Sequence, residues 1–166
     1  MSCSDGYTDK KPIVFYGSSI TQGGCASRPG NSYQALISRR FNIDYFNFGF
    51  SGNALGEKTM ADYIAALPMS LFFLDFGHNS PNAEHLKAHH ESFFLNIREK
   101  NPDLPVIMAT KTDIPRSPAA EKSNAAHRAV VYETYENAVK RGDRNVIFID
   151  GATVFSKALT LSAPAD

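Results

Sequence analysis

The chain has 166 residues, 43% of them hydrophobic and 20% charged, ordinary usage for one globular domain that can bury a core without disulfides or a structural metal. Lys and Arg number 17 and so do Asp and Glu. With no net charge and no basic cluster, a nucleic-acid partner is not expected.

In chain order, Met1–Lys11 is a polar lead-in without the apolar core of a signal peptide. No apolar run approaches the roughly 20 residues of a transmembrane helix. A soluble cytoplasmic domain without a membrane partner is therefore expected, with a trimmed secreted protein as the alternative. Continuous apolar runs predict strands at Pro12–Tyr16, Ile43–Phe48, Ser70–Phe76, Pro105–Thr110 and Asn145–Asp150. Their lack of alternation suits strands covered on both faces of a parallel sheet. Helical patterns lie between them. Ser32–Phe41 is capped by Asn31 or Ser32, and Glu57–Leu67 sets Met60, Ile64 and Leu67 on one face. Ala83–Lys100 does the same with Leu86, His90, Phe93, Phe94 and Ile97. Pro118–Arg141 opens on proline and stops at Gly142. Strands alternating with helices over 12–166 predict a single α/β domain, a three-layer sandwich around a five-stranded parallel, flavodoxin-like sheet.

Ligands of such sheets bind beyond the carboxyl ends of the strands. Three of those ends combine glycine with hydroxyl or amide side chains: Gly17-Ser18-Ser19-Ile20-Thr21-Gln22-Gly23-Gly24, then Asn47-Phe48-Gly49-Phe50-Ser51-Gly52-Asn53, then Gly77-His78-Asn79-Ser80. Glycine lets backbone N–H groups approach a ligand, and amides supply neutral donors. This set holds two of the three parts of an acyl-transfer site, a hydroxyl that can attack and donors for an oxyanion. A general base is the third.

Tyr16-Gly17-Ser18-Ser19-Ile20-Thr21-Gln22-Gly23 resembles block I of the SGNH (GDSL-type) hydrolases. The resemblance implies Ser19 as nucleophile. Asn47–Asn53 resembles block II and implies an oxyanion N–H at Gly52, while Gly77-His78-Asn79 resembles block III and implies an oxyanion amide at Asn79. The run through Ala26–Gly30 is similar to the bacterial carbohydrate-esterase branch. Together these imply a cofactor-free serine esterase acting on a small acyl ester, most plausibly O-acetyl groups of a carbohydrate. Ser18 and Ser80 depart from the acidic residues usual at their positions. The family's Asp-x-x-His block belongs after the fifth strand, yet the sequence runs to Asp166 with no histidine beyond His127. The catalytic His and Asp are thus expected to lie outside these residues, in a segment cut before that block.

The remaining candidates are weighed by position. His90 falls on an apolar helix face and reads as core, His85 and His89 as solvent-facing, and His127 as remote from the strand ends. His78, alone among the histidines in a site loop, is a candidate substrate contact or substitute base. Arg28 is a candidate for a substrate oxygen or for bracing its loop. Cys25 reads as inert, and Lys111, Asp113 and Arg116 as a loop that touches substrate or solvent. Two other functions stay open: a catalytically incompetent binding domain on this scaffold, and a flavodoxin-like phosphate or nucleotide binder. The glycine spacing of the first loop argues against the latter.

Overall fold

The computed structural model describes residues 6–24, 26–112 and 117–154. Its sheet is five-stranded and all parallel: β1 (Asp9–Gly17), β2 (Ile43–Gly49), β3 (Leu71–Asp75), β4 (Val106–Ala109) and β5 (Val146–Ile149), in the order β2-β1-β3-β4-β5. The helices are α1 (Ser19–Gln22), α2 (Tyr33–Phe41), α3 (Lys58–Ala65), α4 (Ala83–Lys100) and α5 (Pro118–Lys140), with a 3-10 turn at Pro29–Asn31. The order reverses at β1. The chain leaves β1 toward β2 and returns across it to β3, so the connections after β1 and β3 diverge, the topology at whose carboxyl edge ligands of open α/β sheets bind.

Local chemistry sets the helix ends. Asn82 caps α4 by accepting the His85 N–H at 2.8 Å, and Ser117 caps α5 by accepting that of Ala120 at 3.2 Å, ahead of Pro118 in the first turn. Asn42 ends α2 in the left-handed conformation. No helix among the described residues is long and apolar enough to cross a membrane.

Aromatic rings fill both sides of the central strands. On one side Phe93 of α4 stacks on Tyr16 at 4.7 Å and on Phe72 at 6.2 Å, and Phe76 joins them. On the other, Phe15 meets Tyr33 of α2, Tyr45 and Phe73. Burial of such a side chain stabilises by roughly 1.5–3 kcal/mol. β1 and β3 are covered on both faces as the apolar runs predict, but β2 and β5 are not. They are the sheet edges, and Phe46 and Ile147 remain 37% and 53% exposed. An apolar run reports a tolerance for burial, whereas strand order decides which runs receive it.

Candidate active site

β1 stops at Gly17, and the next residue commits its hydroxyl to the backbone. Buried Ser18 accepts the Ile20 N–H at 3.2 Å and caps α1. Ser19, the first residue of α1, is half-buried, and its hydroxyl is bonded to none of the described residues. A helix of four residues cannot persist alone, so tertiary contacts hold it. Thr21, on its inner side, is fully buried. The Thr21 carbonyl accepts from Gln34 Nε2 at 2.5 Å and Asn47 Nδ2 at 2.9 Å, and its hydroxyl accepts from the Tyr33 hydroxyl at 3.2 Å. A Cβ on Gly49 would collide with the backbone of Thr21 and Gln22. Glycine at the end of β2 is thus what lets α1 lie against the sheet.

The loops after β2 and β3 are tied to this turn. Ser51 donates its N–H to Gln22 Oε1 at 3.1 Å, and Phe50 donates to the Gly17 carbonyl at 2.9 Å. Asn79 Nδ2 donates to the Phe50 carbonyl at 2.8 Å, which binds the β3 loop to the β2 loop. An amide carries two N–H bonds, so the second one of Asn79 stays available. Gly52 is exposed with φ +71°, and a Cβ there would touch nothing. Its glycine answers to backbone conformation and not to space. Among the described residues, no hydrogen bond uses the N–H of Gly52 or of Ser19. Ser19, Gly52 and Asn79 therefore sit on three connected loops at one sheet edge.

The histidines divide differently from the sequence reading. His90 is core as expected. It is fully buried, bonds Thr134 Oγ1 through Nδ1 at 2.9 Å, and burial pulls its pKa down to about 4, so it is neutral. His85 and His89 do not simply face solvent. Their rings stack 4.2 Å apart, half-buried, with His85 Nδ1 at 3.4 Å from Ser80 Oγ and His89 Nδ1 against the His85 carbonyl at 2.8 Å. His127 is not remote from the strand ends, because its Nε2 bonds the Ser80 carbonyl at 3.2 Å. α4 and α5 both begin at the carboxyl edge, where the first turn of α4 brings His85 to Ser80 and the third turn of α5 brings His127 to it. His78 is half-buried in the turn after β3. Arg28 is exposed before the 3-10 turn, and no contact among the described residues joins it to Ser19. Cys3, Cys25, Asp113 and Arg116 lie outside the described residues.

One group went unremarked in the sequence. Asp75, at the end of β3, is 7% exposed, and burial raises its pKa to about 8. Its signal is a single acid closing the apolar run Leu71–Leu74. Burial likewise raises the Tyr16 hydroxyl well above its ordinary value. That hydroxyl donates to Glu57 Oε2 and accepts from Gly56 N, both at 3.0 Å, and so seats the segment leading into α3.

The sequence profile of the GDSL-like lipase/acylhydrolase family matches residues 10–160. The chain belongs to this family. Its five-stranded parallel sheet flanked by helices is the fold of the SGNH hydrolases. A candidate GDSL-like lipase from Bacteroides ovatus is 32% identical with a TM-score of 0.75, over 85% of this chain and 42% of that one. The salicylyl-acyltransferase SsfX3 from a tetracycline biosynthetic pathway is 28% identical with a TM-score of 0.76, over 87% and 44%. This GDSL-like chain thus spans under half the length of either protein. The acetyl-xylooligosaccharide esterase Axe2 from Geobacillus, solved as a variant, is similar in fold alone at 18% identity and a TM-score of 0.66, over 95% and 83%. No curated protein matches in sequence.

Proposed function

We propose that this GDSL-like protein is a serine esterase that cleaves small acyl esters, with O-acetylated carbohydrate as the substrate class. The observation that carries the reading is Ser19 itself. It is a half-buried hydroxyl without a partner among the described residues, on a turn clamped from three sides and joined by hydrogen bonds to the loop of Gly52 and through it to that of Asn79. Ser19 Oγ bonds to the ester carbonyl carbon, and its proton passes to a general base. The Ser19 and Gly52 N–H groups and the Asn79 amide receive the oxyanion. Collapse breaks the acyl–oxygen bond and the base returns the proton to the leaving alcohol, after which water repeats the sequence on the acyl-enzyme. The base in this reading is a histidine oriented by a carboxylate, a pair that the family resemblance implies after the fifth strand. His85, His90 and His127 have ring nitrogens bonded to Ser80 and Thr134. The similarity to an acyltransferase supports a covalent acyl-enzyme and leaves the acceptor as the variable.

The test is labelling by a fluorophosphonate together with acetate release from an acetylated xylooligosaccharide, using the full-length protein. Ser19→Ala is expected to abolish labelling and lower turnover on the order of 10³-fold or more. Labelling that survives in S19A defeats the assignment. Acetate release that depends on His78 instead, lost in His78→Ala with the Asp-x-x-His block intact, replaces the base.

A further inference from the structure

Asp75 lies opposite Gly17 in the β1–β3 register, two residues before Ser19. Its carboxyl is buried at the sheet edge from which the site loops depart, and Oδ1 has no hydrogen-bond partner among the described residues. The hydrogen-bonding neighbour of the carboxyl is the hydroxyl of Thr21, on the buried side of α1. Strand end, helix and β3 meet closely there. A Cβ on Gly17 would collide with Thr21 Oγ1 and stand 2.5 Å from the Asp75 carbonyl oxygen. Isolated charge at such a depth is costly, and leucine or asparagine fills the same space without that cost. An acid kept against local stability, directly beneath the turn that carries the nucleophile, points to a role in the site.

We propose that Asp75 is a positioning residue for Ser19: through the Thr21 hydroxyl it fixes the roll of α1 against β1 and β3, and with it the direction of Ser19 Oγ. The inference rests on Ser19 being the nucleophile. Ser19 and Thr21 are two residues apart in a helix, so their side chains leave on nearly opposite sides, and seating one aims the other.

Burial favours the neutral acid, and the carboxyl titrates near 8. The Thr21 hydroxyl accepts from Tyr33 and has its own O–H to donate to the carboxyl, a bond that favours the ionised form and is outweighed by burial. Ionisation keeps the Thr21 bond but puts charge on a buried carboxyl whose Oδ1 has no partner among the described residues, a state relieved by displacing α1. The groups facing the carboxyl are Thr21 of α1, Gly17 of β1 and the Tyr33 hydroxyl of α2. Burial and then the Asp75 charge hold that phenol un-ionised. β4 runs alongside and ends in Ala109 and Thr110, which do not titrate. Among the described residues no lysine or arginine forms an ion pair with Asp75.

The test follows p-nitrophenyl acetate turnover and fluorophosphonate labelling by the full-length protein on both sides of pH 8. Wild type, Asp75→Asn, Asp75→Ala, Thr21→Val and Ser19→Ala are compared. D75N keeps the shape and an acceptor for the Thr21 hydroxyl, and it cannot ionise. It is expected to hold kcat within about threefold of wild type below that pH and to remove the loss of kcat that wild type shows above it. D75A and T21V, folded by circular dichroism, lower kcat by roughly 10- to 100-fold with KM within about twofold, the signature of a misaimed nucleophile. A high-pH loss that persists in D75N overturns the proposal, as does a folded D75A with wild-type kcat. Should D75A not fold, the D75N profile decides alone. Activity surviving in S19A defeats the nucleophile assignment and the positioning role with it. A silent S19A beside wild-type-like Asp75 variants defeats positioning only.

Discussion

Arg98 and Asp75 stand at opposite ends of the same sheet, both withdrawn from water, and the fold treats them in opposite ways. Arg98, in the last turn of α4, is saturated. Its Nε donates to Asp143 at 2.7 Å, and its two terminal nitrogens reach the carbonyls of Asn101, Pro102, Leu104 and Asn145 at 2.6–3.4 Å. Its guanidinium also lies 5.5 Å from the centre of the Phe94 ring. One side chain thereby stitches the end of α4 to the starts of β4 and β5. Asp75 has a threonine hydroxyl for company and one oxygen with no partner among the described residues. Buried charges are stabilising only when fully paired, so the amino edge of the sheet gains stability where the carboxyl edge gives it up. Ser19 is at the second edge. The contrast teaches that the two ends answer to different demands, cohesion at one and, under the proposed function, placement of reacting groups at the other.

Breaking the satisfied end should have the largest effect. Arg98→Ala leaves the Asp143 carboxylate, 13% exposed, without its partner. It is expected to cost about 3 kcal/mol and roughly 10 °C in Tm. Replacing both members by apolar residues (Arg98→Met with Asp143→Leu) recovers part of that loss. Thermal melts check both, and Ser19 labelling of the folded fraction should not change.

The unsatisfied end predicts a smaller effect of opposite character. Folding raises the Asp75 carboxyl from 3.8 to about 8. Its contribution is therefore complete below 3.8 and is lost as pH rises toward 8. Melts of wild type and Asp75→Asn should diverge across that window, the variant gaining relative to wild type as pH increases. Parallel curves would mean that the carboxylate is accommodated after all, and the comparison with Arg98 would fail.

The smallest effect lies on the acid side, in the sealed core. His90 is held neutral, its pKa lowered by burial from 6.5 to about 4, while it bonds Thr134 and stacks on Phe76 at 5.5 Å. Its contribution is present above 6.5 and is lost as pH falls toward 4. Urea titrations of His90→Phe should show a shallower acid decline than wild type.

Much of the architecture was legible because caps and apolar runs are local. Ala83–Lys100 is the helix its periodicity predicts, and the other long elements differ at their ends by one to three residues. β1 also begins three residues early, at Asp9. α1 was read as loop, since four residues carry no periodicity and its stability comes from Gln34, Tyr33 and Asn47, 12 to 26 positions away. Ser19, Gly52 and Asn79 were visible because glycine with a hydroxyl or amide recurs where strands stop. The sequence puts His127 far from the strand ends because distance along a helix does not report distance in space. α5 starts at the carboxyl edge, and ten residues of helix span only about 15 Å.

By itself the sequence determined an α/β sandwich, its strand and helix content, and a family resemblance centred on the turn after the first strand. Those are properties of short segments, in which side-chain pattern and backbone preference agree. Only the tertiary structure decided which strands became edges, which histidines were committed to other partners, and that an acid ending an apolar run came to lie beneath the serine. Each of these depends on what a distant part of the chain brings within a few ångströms, and a buried charge or an open hydroxyl is defined by those neighbours.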